Sequence, residues 1–374
     1  MINNSNPDSG NTNMKEIINN QMTAAIANGI FPGASLLIAS QFKIVHHDHY
    51  GCTQTSGKAV DNKTIFDLAS LTKPLATSLS ILHLVQSGQV QLNQKISTIF
   101  PEISSDKADI TIHQLLSHQS GLPAHRPYFE HLSNVSPQNR LKKLIKMIFD
   151  EPLVYQPGGK TEYSDLGFMV LDAAIKRVSG YRLDSYLLHK ILIPLGLTAP
   201  FFIDLFDKPN IQKENFAATE KCPWRKKIML AEVHDDNAYV LGGICGHAGL
   251  FGTAWDVYQL LNILLGIYHD HPSQKNAQVI LNRNWLRTFF QVPDGAQRPL
   301  GFDIPSPQIS SSGTYFSSNS VGHLGITGTS FWIDLERSII IILLTNRVHP
   351  NRDNIKIRTF RPRIHDMIMQ HLLT

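Results

Sequence analysis

Ser70, Leu71, Thr72 and Lys73 place a hydroxyl and an amine three residues apart just ahead of an apolar run. On a helix that spacing puts both groups on one face, so the amine reaches the hydroxyl. Serine is a poor nucleophile until a positioned group takes its proton. Lys73 can do so if its surroundings keep it neutral for part of the time. The bland reading of the same quartet is a helix cap followed by a surface lysine. Leu68, Leu71 and Leu75 weigh against it, because a lysine among buried leucines needs a reason to be there.

Two further segments carry polar chemistry. Tyr163-Ser164-Asp165 follows a Pro157-Gly158-Gly159 turn and precedes an apolar helix. A phenol there, with its pKa lowered by Lys73, can accept the Ser70 proton and pass it on, although a tyrosine taken alone is more often a packing residue. Gly322-His323-Leu324-Gly325-Ile326-Thr327-Gly328 leads into a β-rich stretch. Its glycines allow close approach of a substrate backbone, and the Ile326 N–H can join the Ser70 N–H as an oxyanion hole. His323 supplies polarity beside an attacked carbonyl or is a satisfied core histidine.

These groups need a frame. The spacing of Ile17, Ile18, Met22, Ala25 and Ile26 predicts an amphipathic helix over 14–28. A strand pair over 34–40 and 43–50 turns at Gln41-Phe42, with a third extended piece near 53–57. The leucine periodicity over 67–86 predicts a buried helix with Ser70 in its opening turn. Further helices are expected over 111–117, 139–149, 166–178, 182–191, 256–267 and 363–372. Residues 293–318 read as loop, and strands are expected over 329–335 and 338–345. Strands at both ends around a helical middle imply one antiparallel sheet built from the two termini. The expected fold is α/β (α+β): a sheet flanked by helices, with an inserted all-helical lobe and a cleft between. Residues 1–13 are expected to be flexible and 14–374 to form one catalytic unit, its sheet lobe from 14–66 and 315–374 and its helical lobe from 67–314.

Composition excludes several classes. With 374 residues, 42% apolar and 17% charged, the chain can bury a large core. A net charge of +4 and no basic block longer than Trp224-Arg225-Lys226-Lys227 argue against nucleic acid. Cys52, Cys222 and Cys245 are odd in number and scattered, which rules out a fully paired disulfide framework. His247, His323 and Asp165 match no zinc spacing, so neither a metal nor another cofactor is expected. The apolar run 338–345 is too short to span a hydrocarbon core of about 30 Å as a helix, so no integral membrane segment is expected. Residues 1–12 lack the pattern of an export signal. The expectation is a cytoplasmic protein, or a periplasmic one if a signal has been trimmed, with oligomeric state left open.

With three motifs in this order, the chain resembles the penicillin-binding and class C beta-lactamase serine hydrolases, a family that includes D,D-peptidases and esterases. The similarity runs over roughly 31–371. It includes Ile112 to Leu122, Pro194-Leu195-Gly196-Leu197 and Gly246-His247-Ala248-Gly249-Leu250-Phe251. The resemblance implies an acyl-enzyme at Ser70 with Lys73 as partner, Tyr163 as general base, and His323-Leu324-Gly325 as the strand motif. Asp165 stands where class C beta-lactamases carry Asn, and His323 where most carry Lys. An amide donor is thereby replaced by an acceptor, which can attract Lys73 or a cationic substrate group. A permanent cation is replaced by an imidazole. Asp165, His323 and Gly325 are the expected substrate contacts. The resemblance implies a small-molecule or short-peptide acyl substrate. D-Ala-D-Ala peptides rank first, then short-chain esters, then beta-lactams, with an inactive ligand-binding relative as the alternative of another kind.

Overall fold

The computed structural model describes residues 8–207, 210–308 and 310–374, with side chains from Met14 at the N-terminal end. Its main sheet has five antiparallel strands in the order Lys43–Gly51, Gly33–Ser40, Ile339–Thr345, Ser330–Asp334 and Ser320–Leu324. The first hairpin turns at Gln41 and Phe42, both at positive φ (48° and 64°). Both termini therefore feed one sheet, as the strand pattern implies.

Leu36 to Ala39 and Ile339 to Leu344 are continuous apolar runs because both faces of the sheet are covered. Leu36, Ile38, Ile341 and Leu343 join one core, with Trp332, Ile18, Met22 and Ile364. Leu37, Ala39, Ile340 and Ile342 join the other, larger core. Register sets Leu36 opposite Leu343 and Ile38 opposite Ile341. A one-residue slip would exchange the two cores, so burial on both sides fixes the pairing. The helices Asp8–Ala27 and Ile357–Leu373 cover the first face, and Ala254–His269 packs on the second.

Several expectations need correction. The N-terminal helix begins at Asp8, ahead of the expected start at 14, and residues 1–7 lie outside the described residues. Residues 53–57 form turns instead of a strand, beside a Cys52–Ala59 bridge. Ser320–Leu324 is a strand, although its Gly and His mask the β pattern. The last helix starts at Ile357, ahead of the expected 363, and runs through Pro362 in its interior.

The largest correction lies at Ser70. Phe66–Ala69 is a strand paired with Leu250–Gly252. Ser70 and Leu71 make a turn, and helix follows from Thr72, as a π-helical stretch Lys73–Ser78 and then the α-helix Leu79–Gln86. Leucine periodicity over 67–86 ignores the break because Leu68 packs in the same core as Leu71 and Leu75.

Candidate active site

The break is built by buried polar groups. Ala69 takes φ 48°, a conformation rare for residues with a Cβ. Its N–H donates to Asp67 Oδ1 at 2.8 Å, and its carbonyl accepts from Thr72 Oγ1 at 2.6 Å. The other Asp67 oxygen accepts the His234 N–H at 2.6 Å. Ser70 thus sits on a sharp turn between strand and helix, fixed from both sides.

Lys73 is fully buried, and its Nζ lies 3.1 Å from Ser70 Oγ, 3.2 Å from the His247 carbonyl oxygen and 2.8 Å from Asp165 Oδ1. Nζ also stands 4.7 Å from the centre of the Tyr163 ring. Burial disfavours the ammonium, but Asp165 and then Tyr163 outweigh it and hold the Lys73 pKa above its usual value. Asp165, despite its own burial, is held well below the usual carboxylate range, chiefly by Lys73. Lys73 is therefore an ammonium, not the part-time neutral amine expected from the sequence. Tyr163 also differs: burial raises its pKa more than Lys73 lowers it. The resting site holds an ammonium, a carboxylate and a neutral phenol.

The structure gathers all the residues singled out from the sequence. Ser70, Tyr163, Asp165, His323, Gly325 and Ile326 line one cavity of about 580 Å³, with Lys73 beneath. Among the described residues neither the Ser70 N–H nor the Ile326 N–H has an acceptor, leaving both free for an oxyanion. Two threonine hydroxyls tie their loops together. Thr327 Oγ1 donates to the Asp67 carbonyl at 2.8 Å, and Thr329 Oγ1 donates to the Leu68 carbonyl at 3.1 Å.

Gly325 makes this approach possible. A Cβ there would stand 2.1 Å from Thr329 Oγ1 and 2.8 Å from the Leu68 carbonyl oxygen. Gly325→Ala is expected to push the Ile326 loop off the Ser70 turn, lowering kcat by about 10²-fold. The loss in thermal stability should be no more than about 1–3 kcal/mol. Kinetics beside a melting curve check this; unchanged kcat would refute the proposed packing role.

His323 is buried, and its Nδ1–H donates to the Leu324 carbonyl at 2.9 Å. Its Nε2 has no partner, and burial lowers the pKa to about 4. At neutral pH it is an acceptor beside the cavity, not a cation. Asp165 is largely committed: Oδ1 faces Lys73, and Oδ2 lies 3.4 Å from His125 Nδ1.

Other site residues escape motif reading. His118 is buried and stacked on Tyr163 with ring centres 4.7 Å apart, while its Nδ1 accepts the Ser164 N–H at 3.0 Å. Arg298 lies 5.5 Å from the centre of the Tyr163 ring and pairs with Asp303. His247 pairs with Asp235 at 2.9 Å, and despite burial that carboxylate holds its pKa well above the usual histidine range. Of these only His118 and His247 lie in stretches that resemble the family, and their roles depend on contacts between distant segments.

A strand-to-helix serine over a buried lysine, with a tyrosine beside it and a glycine-edged strand opposite, defines the serine hydrolases of the penicillin-binding type. The chain belongs to this family: the Beta-lactamase family model matches residues 18–364. It is 30% identical over 352 residues to an N-acetylmuramyl-L-alanine amidase of Bacillus subtilis (strain 168), covering 85% of this chain and 78% of that protein. It is 29% identical over 381 residues to an Escherichia coli (strain K12) protein provisionally named D-alanyl-D-alanine carboxypeptidase, covering 92% and 85%. Among solved structures, EstCE1, a hydrolase with promiscuous acyltransferase activity, superposes with a TM-score of 0.74 at 20% identity, covering 96% of this chain and 99% of that one. The octameric penicillin-binding protein homologue from Pyrococcus abyssi gives 0.70 at 19% identity, covering 97% and 77%. The protein is thus a serine hydrolase of this fold, and among the described residues no helix is long and apolar enough to cross a membrane.

Proposed function

We propose that the protein is a D,D-carboxypeptidase-like acyl hydrolase acting on D-Ala-D-Ala or related peptides through an acyl-enzyme at Ser70. The observation that carries this reading is the Ser70–Lys73–Asp165 contact set at 3.1 and 2.8 Å, with Tyr163 over the lysine. The two relatives named for peptidoglycan amide chemistry support the substrate class.

Because Lys73 is charged and Tyr163 neutral, the proton moves without a pre-formed base. As Ser70 Oγ attacks the carbonyl carbon, its proton passes to Tyr163 Oη while the phenolic proton passes in the same step to the substrate nitrogen, which then departs protonated as the C–N bond breaks. Lys73 stabilises the negative charge that develops on Ser70 Oγ as its proton leaves. The N–H groups of Ser70 and Ile326 hold the oxyanion, and water reverses the relay to release the acid and regenerate Ser70. His323, with its free Nε2, accepts an N–H of the bound peptide. Asp165 acts on the substrate through Lys73.

A short-chain carboxylesterase is the second reading, favoured by the uncharged His323. Release of D-alanine from an acyl-D-Ala-D-Ala peptide, compared with p-nitrophenyl ester turnover, separates the two. Peptide turnover at least as efficient as ester turnover is expected, and no D-alanine release beside rapid ester cleavage would overturn the peptidase assignment. Tyr163→Phe should lower kcat for the peptide by about 10²–10⁴-fold. An ester, whose leaving group needs less protonation, should lose less. Equal losses on both substrates would refute the relay through Tyr163.

A further inference from the structure

A second cavity, of about 680 Å³, opens on the helical lobe and shares no lining residue with the one at Ser70. Its size is that of a small-molecule site. The helix Pro137–Asp150 forms one wall. Along it Leu141, Ile145 and Phe149 make an apolar row at four-residue spacing, and Gln138, Lys142 and Lys146 make a polar row beside it. The apolar row runs for eight residues of helix, about 12 Å. The cavity is closed by Phe100, its ring edge-on to Phe149 with centres 5.4 Å apart, and by Ala173 of the helix Asp165–Ser179.

Core packing accounts for part of this wall. Leu144 and Ile148, fully buried, seat the helix on the core, whereas Leu141 is only half-buried and edges the open groove. The charges on the rim do not balance. Lys142, Lys146, Lys176 and Arg177 stand against Glu102 and Asp150. Lys146 pairs with Asp150 at 2.8 Å and Arg177 with Glu102 at 2.6 Å. Lys142 and Lys176 are left without an ion-pair partner among the described residues. An apolar row flanked by two uncompensated ammonium groups is complementary to an apolar tail with an anionic head.

We infer that this groove binds a single long-chain carboxylate, its alkyl chain laid along Leu141, Ile145 and Phe149 and its head held by Lys142 and Lys176. A bilayer fits less well, because residues 137–150 and 165–179 carry no large exposed apolar side chain to insert. A helix of a partner protein, about 10 Å across, would cover the polar row as well as the apolar one. The site is independent of the hydrolase reading and stands or falls without it.

Titration calorimetry of the whole protein with dodecanoate, kept below its micelle concentration, tests the inference. Saturable binding is expected, weakened about tenfold by Lys142→Ala combined with Lys176→Ala. Lys143→Ala, an exposed lysine of the same helix outside the groove, should change it less than about twofold. Decanoate, two methylenes shorter, should bind about tenfold more weakly. Dodecyltrimethylammonium, with the same chain and the opposite charge, should bind at least about tenfold more weakly than dodecanoate. Ala173→Phe fills the groove and should abolish binding, with a melting curve to show that the variant folds; the lysine variants, changed only at the surface, carry the test if it does not. No dodecanoate binding, equal affinity for the cationic amphiphile, or the same affinity in the double lysine variant as in wild type overturns the site. Attachment to phosphatidylglycerol vesicles that needs Lys142 and Lys176, without dodecanoate binding, would overturn it in favour of a membrane contact.

Discussion

Ser70→Ala protein is expected to take no label from a fluorophosphonate and to keep at most about 10⁻⁴ of wild-type turnover. The substitution removes the only atom placed to form the acyl bond while leaving the Ser70 and Ile326 N–H groups in position. Any residual rate would come from binding and oxyanion stabilisation. The fold should not suffer, because the contact given up by Ser70 Oγ is the 3.1 Å one to Lys73, and that ammonium keeps Asp165 and the His247 carbonyl. Mass spectrometry of the labelled protein and a melting curve check both halves. Equal labelling of wild type and variant would remove Ser70 from the mechanism.

Lys73→Met should damage activity and stability together. Catalysis is expected to fall by about 10³-fold or more, since the charge that stabilises the developing alkoxide is gone. Stability should fall by about 3–5 kcal/mol at neutral pH, because Asp165 is left as a buried carboxylate without its cation. The pH dependence follows from the signs. Asp165 has a depressed pKa in the folded protein, so its pairing contributes stability above the ordinary carboxylate range, lost as pH falls through the folded value. Lys73 has a raised one, so its share is present below the ordinary lysine range and lost as pH rises past the folded value. The variant should therefore be penalised most at neutral pH and least in acid. Adding Asp165→Asn should restore stability without activity. A double variant as unstable as the single one would show that the pair is not what Lys73 provides.

Much of this was legible from residue types and spacing. The hairpin at Gln41-Phe42, the apolar strand over 338–345 and the helix after Tyr163 are local patterns, and local patterns survive folding. The charge states were not legible. Lys73 looks like a base candidate from its leucine neighbours, since burial alone favours the neutral amine. That conclusion reverses only when Asp165, 92 residues away in sequence, is seen at 2.8 Å. The Ser70 turn was hidden for a related reason: strand and helix share the apolar residues Leu68 and Leu71, and what breaks them is the Asp67 side chain bonding Ala69. Arg347 and Arg361 line the same cavity only because a strand end meets a helix start, which no local pattern reveals.

The hydroxyls of Thr327 and Thr329 hook the oxyanion strand directly onto the backbone that carries the nucleophile. The two anion-stabilising amides therefore move as one jaw, its span set by two short side chains instead of by the 255 residues of chain between them. A change in the imidazole wall should therefore leave the span of the jaw intact, whereas Arg347 and Arg361, which hold the Ile326 and Gly328 carbonyls, belong to the jaw itself.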